Sequence, residues 1–226
     1  MTRPKKLPDK RAAAPKGAST VARSDILAAA LKAFARDTFE GASLQEIAKV
    51  ANIGQPLVHY HFGSKEGLWR AAVEYALGDL KKFYEVVAVT TVDLEPIDIL
   101  RVLCRAFLQF SSRSPEHALI VINEMRSSGK RFEWLLDTYI KPVHKHLDAI
   151  IELAIARGQM KPMPPVHVTN TMFVALVHFF TIAPLVKAVY GIDTSDPAVI
   201  AAHANFTMQL IFDGIKLSPL RSSDPQ

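Results

Sequence analysis

The sequence predicts an all-α protein, with a small N-terminal three-helix unit followed by a larger helical domain. Three observations predict it. Apolar residues recur at helical spacing through most of the 226-residue chain. The breaks between these stretches fall on Gly, Pro and capping residues. No alternating apolar and polar run of comparable length competes with them. Residues 86–92 are rich in β-branched side chains, but they are short and isolated and read as a frayed helix end plus a loop.

Residues 1–22 carry Pro4, Pro8, Pro15 and six basic side chains without apolar periodicity, which predicts a disordered basic arm. A first helix is expected from about 21–24, where Ile26, Leu27, Ala30, Leu31, Phe34 and Ala35 begin to share a face, and it should end before 39–41. Ser43-Leu44-Gln45-Glu46 has the capping-box pattern and opens a short helix through Ala51. Asn52-Ile53-Gly54 reads as the turn, with positive φ expected at Asn52, because Asn tolerates the left-handed region well. Pro56 then sits in the first turn of a helix that closes at Phe62-Gly63. Ser64 caps a longer helix through Leu68, Val73 and Leu77. Further helices are predicted at 96–112, 116–126, 132–156, 166–189 and 197–217.

The charge is unevenly placed. Residues 1–70 hold twelve Lys or Arg against six Asp or Glu, a balance of +6, whereas the remaining chain is −1. A phosphate-binding module attached to a near-neutral body has this distribution. Cys104 is the only cysteine, so no internal disulfide is possible and a reducing cytosol fits. The N-terminus lacks the apolar stretch of a secretory signal. The longest apolar run, 172–186, is interrupted by His178, Thr181 and Pro184 and falls short of a membrane span. A cytoplasmic protein without membrane contact is therefore expected.

Residues 43–62 supply what a helix-turn-helix needs: a packing helix, a tight turn and a second helix whose N-terminal residues can reach base edges. Ile53 and Val58 would plug the two helices together. Gln55 suits bidentate pairing with adenine, and Pro56 or Leu57 can meet a thymine methyl. His59, Tyr60, His61 and Lys65 carry donors suited to phosphate oxygens. Free amides at Ser64-Lys65 offer a further phosphate site.

Within residues 24–75, the elements Ala30-x-x-x-Phe34, Ser43-Leu-x-x-Ile-Ala48, Ala51-x-Ile53 and Tyr60-x-Phe62-x-Ser64-Lys65-Glu66-x-Leu68 resemble, in register, the N-terminal domain of the TetR family of transcriptional regulators. The resemblance implies an all-α homodimer with a DNA-binding domain at 23–68 and an effector-binding and dimerisation domain at 69–226. It implies a repressor that a small molecule releases from double-stranded DNA, and a helix beginning at Ser64 that carries the signal between domains. Gln55, Pro56 and Leu57 match base-reading positions; Ser43, His59, Tyr60, His61 and Lys65 fall at or beside backbone contacts. Four residues depart from the family pattern. Thr38 and Asn52 replace glycines, Pro56-Leu57 replaces a small residue and a hydroxyl, and His59 replaces Tyr.

Helices 166–189 and 197–217 carry too much apolar surface for solvated helices, which suggests an intersubunit four-helix bundle. A two-fold dimer implies a palindromic operator. Phe107, Met125, Trp134, Phe173 and His178 are the candidate lining of an effector cavity, and their character favours an apolar or aromatic effector. His59 with His61, and His144 with His146, are two residues apart and face different ways, so no metal site is expected. No catalytic constellation and no cofactor motif is recognisable. A small-molecule carrier or helical enzyme would suit the apolar C-terminal domain alone, but not the basic first third.

Overall fold

The computed structural model describes residues 16–91 and 93–215. Its helices are α1 (Lys16–Gly41), α2 (Leu44–Val50), α3 (Gln55–Phe62), α4 (Lys65–Thr90), α5 (Pro96–Arg113) and α6 (Glu116–Ser127), then α7 (Lys130–Leu135), α8 (Lys141–Ala156), α9 (Pro165–Thr181), α10 (Ala183–Tyr190) and α11 (Pro197–Ile215). A π-helical turn, Leu136–Ile140, joins α7 to α8. The described residues contain no strand, and the fold is all-α as predicted.

Two apolar cores organise these helices. The first joins Ile26, Leu31 and Phe34 of α1, Ile47 of α2, Val58 of α3 and Leu68, Trp69 and Val73 of α4. It also takes in Ile120 of α6 and Leu135 of α7, so the N-terminal unit is packed against the larger domain. The second core joins the end of α4 to α5, α8, α9 and α11 through Leu100, Leu103, Leu108, Ile151, Leu176 and Phe212.

Several boundaries differ from expectation. α1 begins at Lys16, earlier than 21–24, so only residues 1–15 of the expected arm lie outside the described residues. Residues 86–90 continue α4 instead of fraying, with Val87 buried against the second core. The predicted helix 166–189 is two helices bent by 66°, with Pro184 in the first turn of α10. Among the described residues no single helix is long and apolar enough to cross a membrane.

α1 is not continuous either. Thr38 has φ 64° and ψ 175°, a conformation that β-branched residues strongly avoid. This is one of the positions where the sequence departs from a family glycine. Removing the Cβ should relieve about 1–3 kcal/mol of strain against about 0.5–1 kcal/mol of added chain entropy. Thr38→Gly is therefore expected to raise the melting temperature by about 2–4 °C. A thermal melt followed by circular dichroism checks this; an unchanged or lower midpoint would show that Thr38 carries no strain.

Candidate nucleic-acid interface

The helix-turn-helix is built by short local bonds. Ser43 is extended and caps α2, its Oγ accepting the Glu46 N–H at 3.5 Å. Asn52 has φ 55°, and its N–H donates to the Lys49 carbonyl. The Ile53 N–H donates to the Ala48 carbonyl at 3.0 Å, which closes the turn. Gly54 is extended and begins α3, with Pro56 in the first turn, where no amide is needed.

α3 has one buried residue, Val58, which enters the first core with partly buried Ile53 beside it. These are the two expected plugs. Gln55, Pro56, Leu57, His59 and Tyr60 are consequently turned outward, and Tyr60 is 82% exposed. His61 is half-buried, edge-on to Tyr60 at 5.3 Å. His59 Nδ1 lies 3.4 Å from the Gly63 carbonyl, so the ring in that tautomer donates to the end of its own helix and keeps Nε2 outward.

Lys65 is more constrained than the sequence suggests. Its Nζ donates to the Glu40 carbonyl at 3.1 Å and lies 5.1 Å from the Phe39 ring centroid, so it ties α4 to the end of α1. Two of its three N–H bonds remain for a phosphate. Arg23 is a further basic residue, which no motif in the sequence marks. Its guanidinium lies 5.4 Å from the Phe62 ring, beside the end of α3.

The joint between α3 and α4 is unusually tight. Gly63 has φ 71° and ψ −52°, and the Ser64 N–H donates to the Phe62 carbonyl at 2.8 Å, forming a γ-turn. Ser64 Oγ then accepts the Gly67 N–H at 3.0 Å. A Cβ on Gly67 would stand 2.2 Å from the same Phe62 oxygen, so only glycine fits there. Nothing in the local sequence pattern signals this requirement.

A narrow crevice, partly open to solvent and with an enclosed volume of only about 10 Å³, lies in the second core among Tyr84, Leu103, Cys104, Phe107, Leu147, Met172, Phe173 and Leu176. Phe107 meets Phe173 edge-on at 5.1 Å, and His144 stacks on Phe173 at 4.8 Å. Burial raises the Tyr84 phenol above its ordinary pKa and pushes the Cys104 thiol up to about 12, so both line the crevice uncharged.

Phe107 and Phe173 thus meet in one cavity, but three other expected lining residues do not join them. Met125 projects from α6 into solvent. Trp134 packs against Trp69 at 5.6 Å beside the first core, with Arg70 over its face. His178 is exposed, because Leu176 and Phe180 occupy the buried face of α9.

Comparison with known proteins agrees with this architecture. The family of bacterial regulatory proteins, tetR family, matches residues 26–72, and the YcdC-like protein C-terminal region matches residues 78–218. The HTH-type transcriptional regulator RutR of Escherichia coli is 26% identical over 195 residues, covering 84% of this chain and 89% of its own. The HTH-type transcriptional repressor NicS of Pseudomonas putida is 25% identical over 198 residues, covering 86% and 92%. Among solved structures, the ketosteroid transcriptional regulator KstR2 of Mycobacterium tuberculosis aligns with a TM-score of 0.68 at 19% identity, over 87% of this chain and 95% of its own. AibR, in complex with isovaleryl coenzyme A and operator DNA, aligns at 0.67 and 20% identity over 84% and 98%. With both halves matched, the chain belongs to the tetR family of bacterial regulatory proteins and is a helix-turn-helix transcriptional regulator with a YcdC-like C-terminal region.

Proposed function

We propose that the protein is a cytoplasmic homodimeric repressor that binds a palindromic operator through α3 and leaves it when a small apolar or aromatic effector enters the crevice beside Phe107 and Phe173. One observation carries the DNA-binding part. Val58, with half-buried Phe62 at the helix end, anchors α3, and that leaves Gln55, Pro56, Leu57 and Tyr60 exposed. Gln55 to Leu57 read bases; Tyr60, with Ser43, His59, His61 and Lys65 around it, contacts the backbone. The functional division falls near Leu68.

The effector reading rests on the apolar lining and on the absence of charge among the groups facing the crevice. AibR, which shares the fold, is in complex with operator DNA and isovaleryl coenzyme A, which supports a regulator that takes both DNA and a small-molecule effector. The dimer reading rests on Val174 of α9, Leu185 and Val189 of α10, and Phe206 and Leu210 of α11, each more than half exposed in the single chain. Such a surface suits a two-fold bundle with a second copy.

A gel shift with the DNA upstream of the protein's own gene tests the scheme. Gln55→Ala is expected to cost about 1–3 kcal/mol at one base pair of each half-site, while non-specific binding is unchanged. Equal loss on all sequences would place Gln55 on the backbone and sink its base-reading role.

A further inference from the structure

The break in α1 is completed from the other domain. The dihedral angles of Thr38 interrupt the helix, and the carbonyls of Phe34 and Ala35 lie in the last turn before the break. Asn123 of α6 donates to that turn, its Nδ2 lying 3.1 Å from the Ala35 oxygen and 3.5 Å from that of Phe34. Beyond the break, Arg131 of α7 holds the short segment that remains. Its guanidinium carbon lies 3.7 Å from the Phe39 ring centroid, and its Nη2 donates to Glu40 at 2.7 Å.

The same guanidinium donates through Nε to Glu124 at 3.0 Å. Glu124 is only 3% exposed, so its carboxylate needs that partner, and Arg131 is fixed in turn. The clamped segment, 39–41, runs directly into Ala42 and the α2 cap at Ser43.

We propose that Asn123 and Arg131 are positioning residues for operator binding: they set the angle at the Thr38 break, and through it the placement of α2 and α3, without touching DNA. A shift of α6 then reaches the reading helices through α1, a route separate from the α4 connection. This goes beyond the repressor reading and needs only that the protein binds DNA.

The chain's two tryptophans report on this seam, since Trp69 and Trp134 lie 5.6 Å apart and Arg131 is 5.9 Å from the Trp69 ring. The test uses full-length Arg131→Gln and Asn123→Asp, with Arg131→Lys as the conservative variant. The probe is a duplex that the wild-type protein selects from random DNA, and circular dichroism identifies conditions in which each variant is folded. Affinity of the folded Gln and Asp variants is expected to fall about tenfold, with Arg131→Lys intermediate and tryptophan emission shifted. The slope of log affinity against log salt should stay at its wild-type value, because no phosphate contact is lost. Wild-type affinity in the folded variants overturns the proposal, and so does a shallower slope, which would mean direct contact with DNA. If Arg131→Gln does not fold, Asn123→Asp makes the same comparison alone.

Discussion

Gly67→Ala is expected to destabilise the protein by about 2–3 kcal/mol and to weaken operator binding at least tenfold. The added methyl would stand 2.2 Å from the Phe62 carbonyl oxygen, a backbone atom already engaged by the Ser64 N–H. Since backbone cannot rotate away as a side chain does, the last turn of α3 must shift against α4. Better helix propensity would return less than about 1 kcal/mol, so the clash wins. Gly78, also on α4, provides the control, because a methyl added there would meet nothing within 4 Å. Gly78→Ala should be neutral or stabilising by up to about 1 kcal/mol. Urea denaturation and operator titration of both variants check this; equal behaviour at the two positions would remove any special role for the α3–α4 joint.

The second large effect is one of pH. His117 is nearly fully buried, with its ring against Phe107 and Phe110 and its Nδ1 2.6 Å from the Ser114 carbonyl. Its Nε2 is buried without a partner. His117 also borders a separate apolar gap lined by Leu31, Val73, Ala76 and Leu77, none of which can stabilise a charged imidazolium. Burial pulls its pKa down from 6.5 to about 4, against a smaller opposing pull from the Ser114 carbonyl. Between those values the unfolded chain binds a proton that the folded chain does not, so stability rises with pH. The contribution is complete above about pH 6.5 and is lost as the pH falls towards 4, a change of about 3 kcal/mol. His117→Phe should flatten urea midpoints measured between pH 7.5 and 4.5. Some slope will persist, because burial also depresses His144 and His203. A variant with the full wild-type slope would exclude His117 as its source.

Local chemistry made the reading unit legible from sequence. The Ser43 cap, the positive φ at Asn52, Pro56 in the first turn and the plugs Ile53 and Val58 each depend on neighbours within a few residues, and each stands where the pattern puts it. The rest depends on partners distant in the chain. Arg131 meets Glu40 across 91 positions, a pairing that no periodicity can announce. The apolar sequence neighbours of His178 point to an interior position, yet helical rotation turns it to the surface while Leu176 and Phe180 take the buried face. Met125 leaves the cavity for the same reason, and Trp134 packs beside the first core instead. The predicted helix 132–156 likewise conceals the π-helical turn at Leu136–Ile140, which changes hydrogen-bond register without changing composition.

Cys104 has a practical consequence. Burial holds its thiol far above the usual range, so it stays protonated at neutral pH, and the sulfur is buried on the inner face of α5. The native chain should therefore be silent towards maleimides and mild oxidants. A single cysteine introduced on exposed Lys49 would then be the sole labelling point, so dye or spin-label distances between the reading heads of the proposed dimer can be measured without first removing the natural thiol.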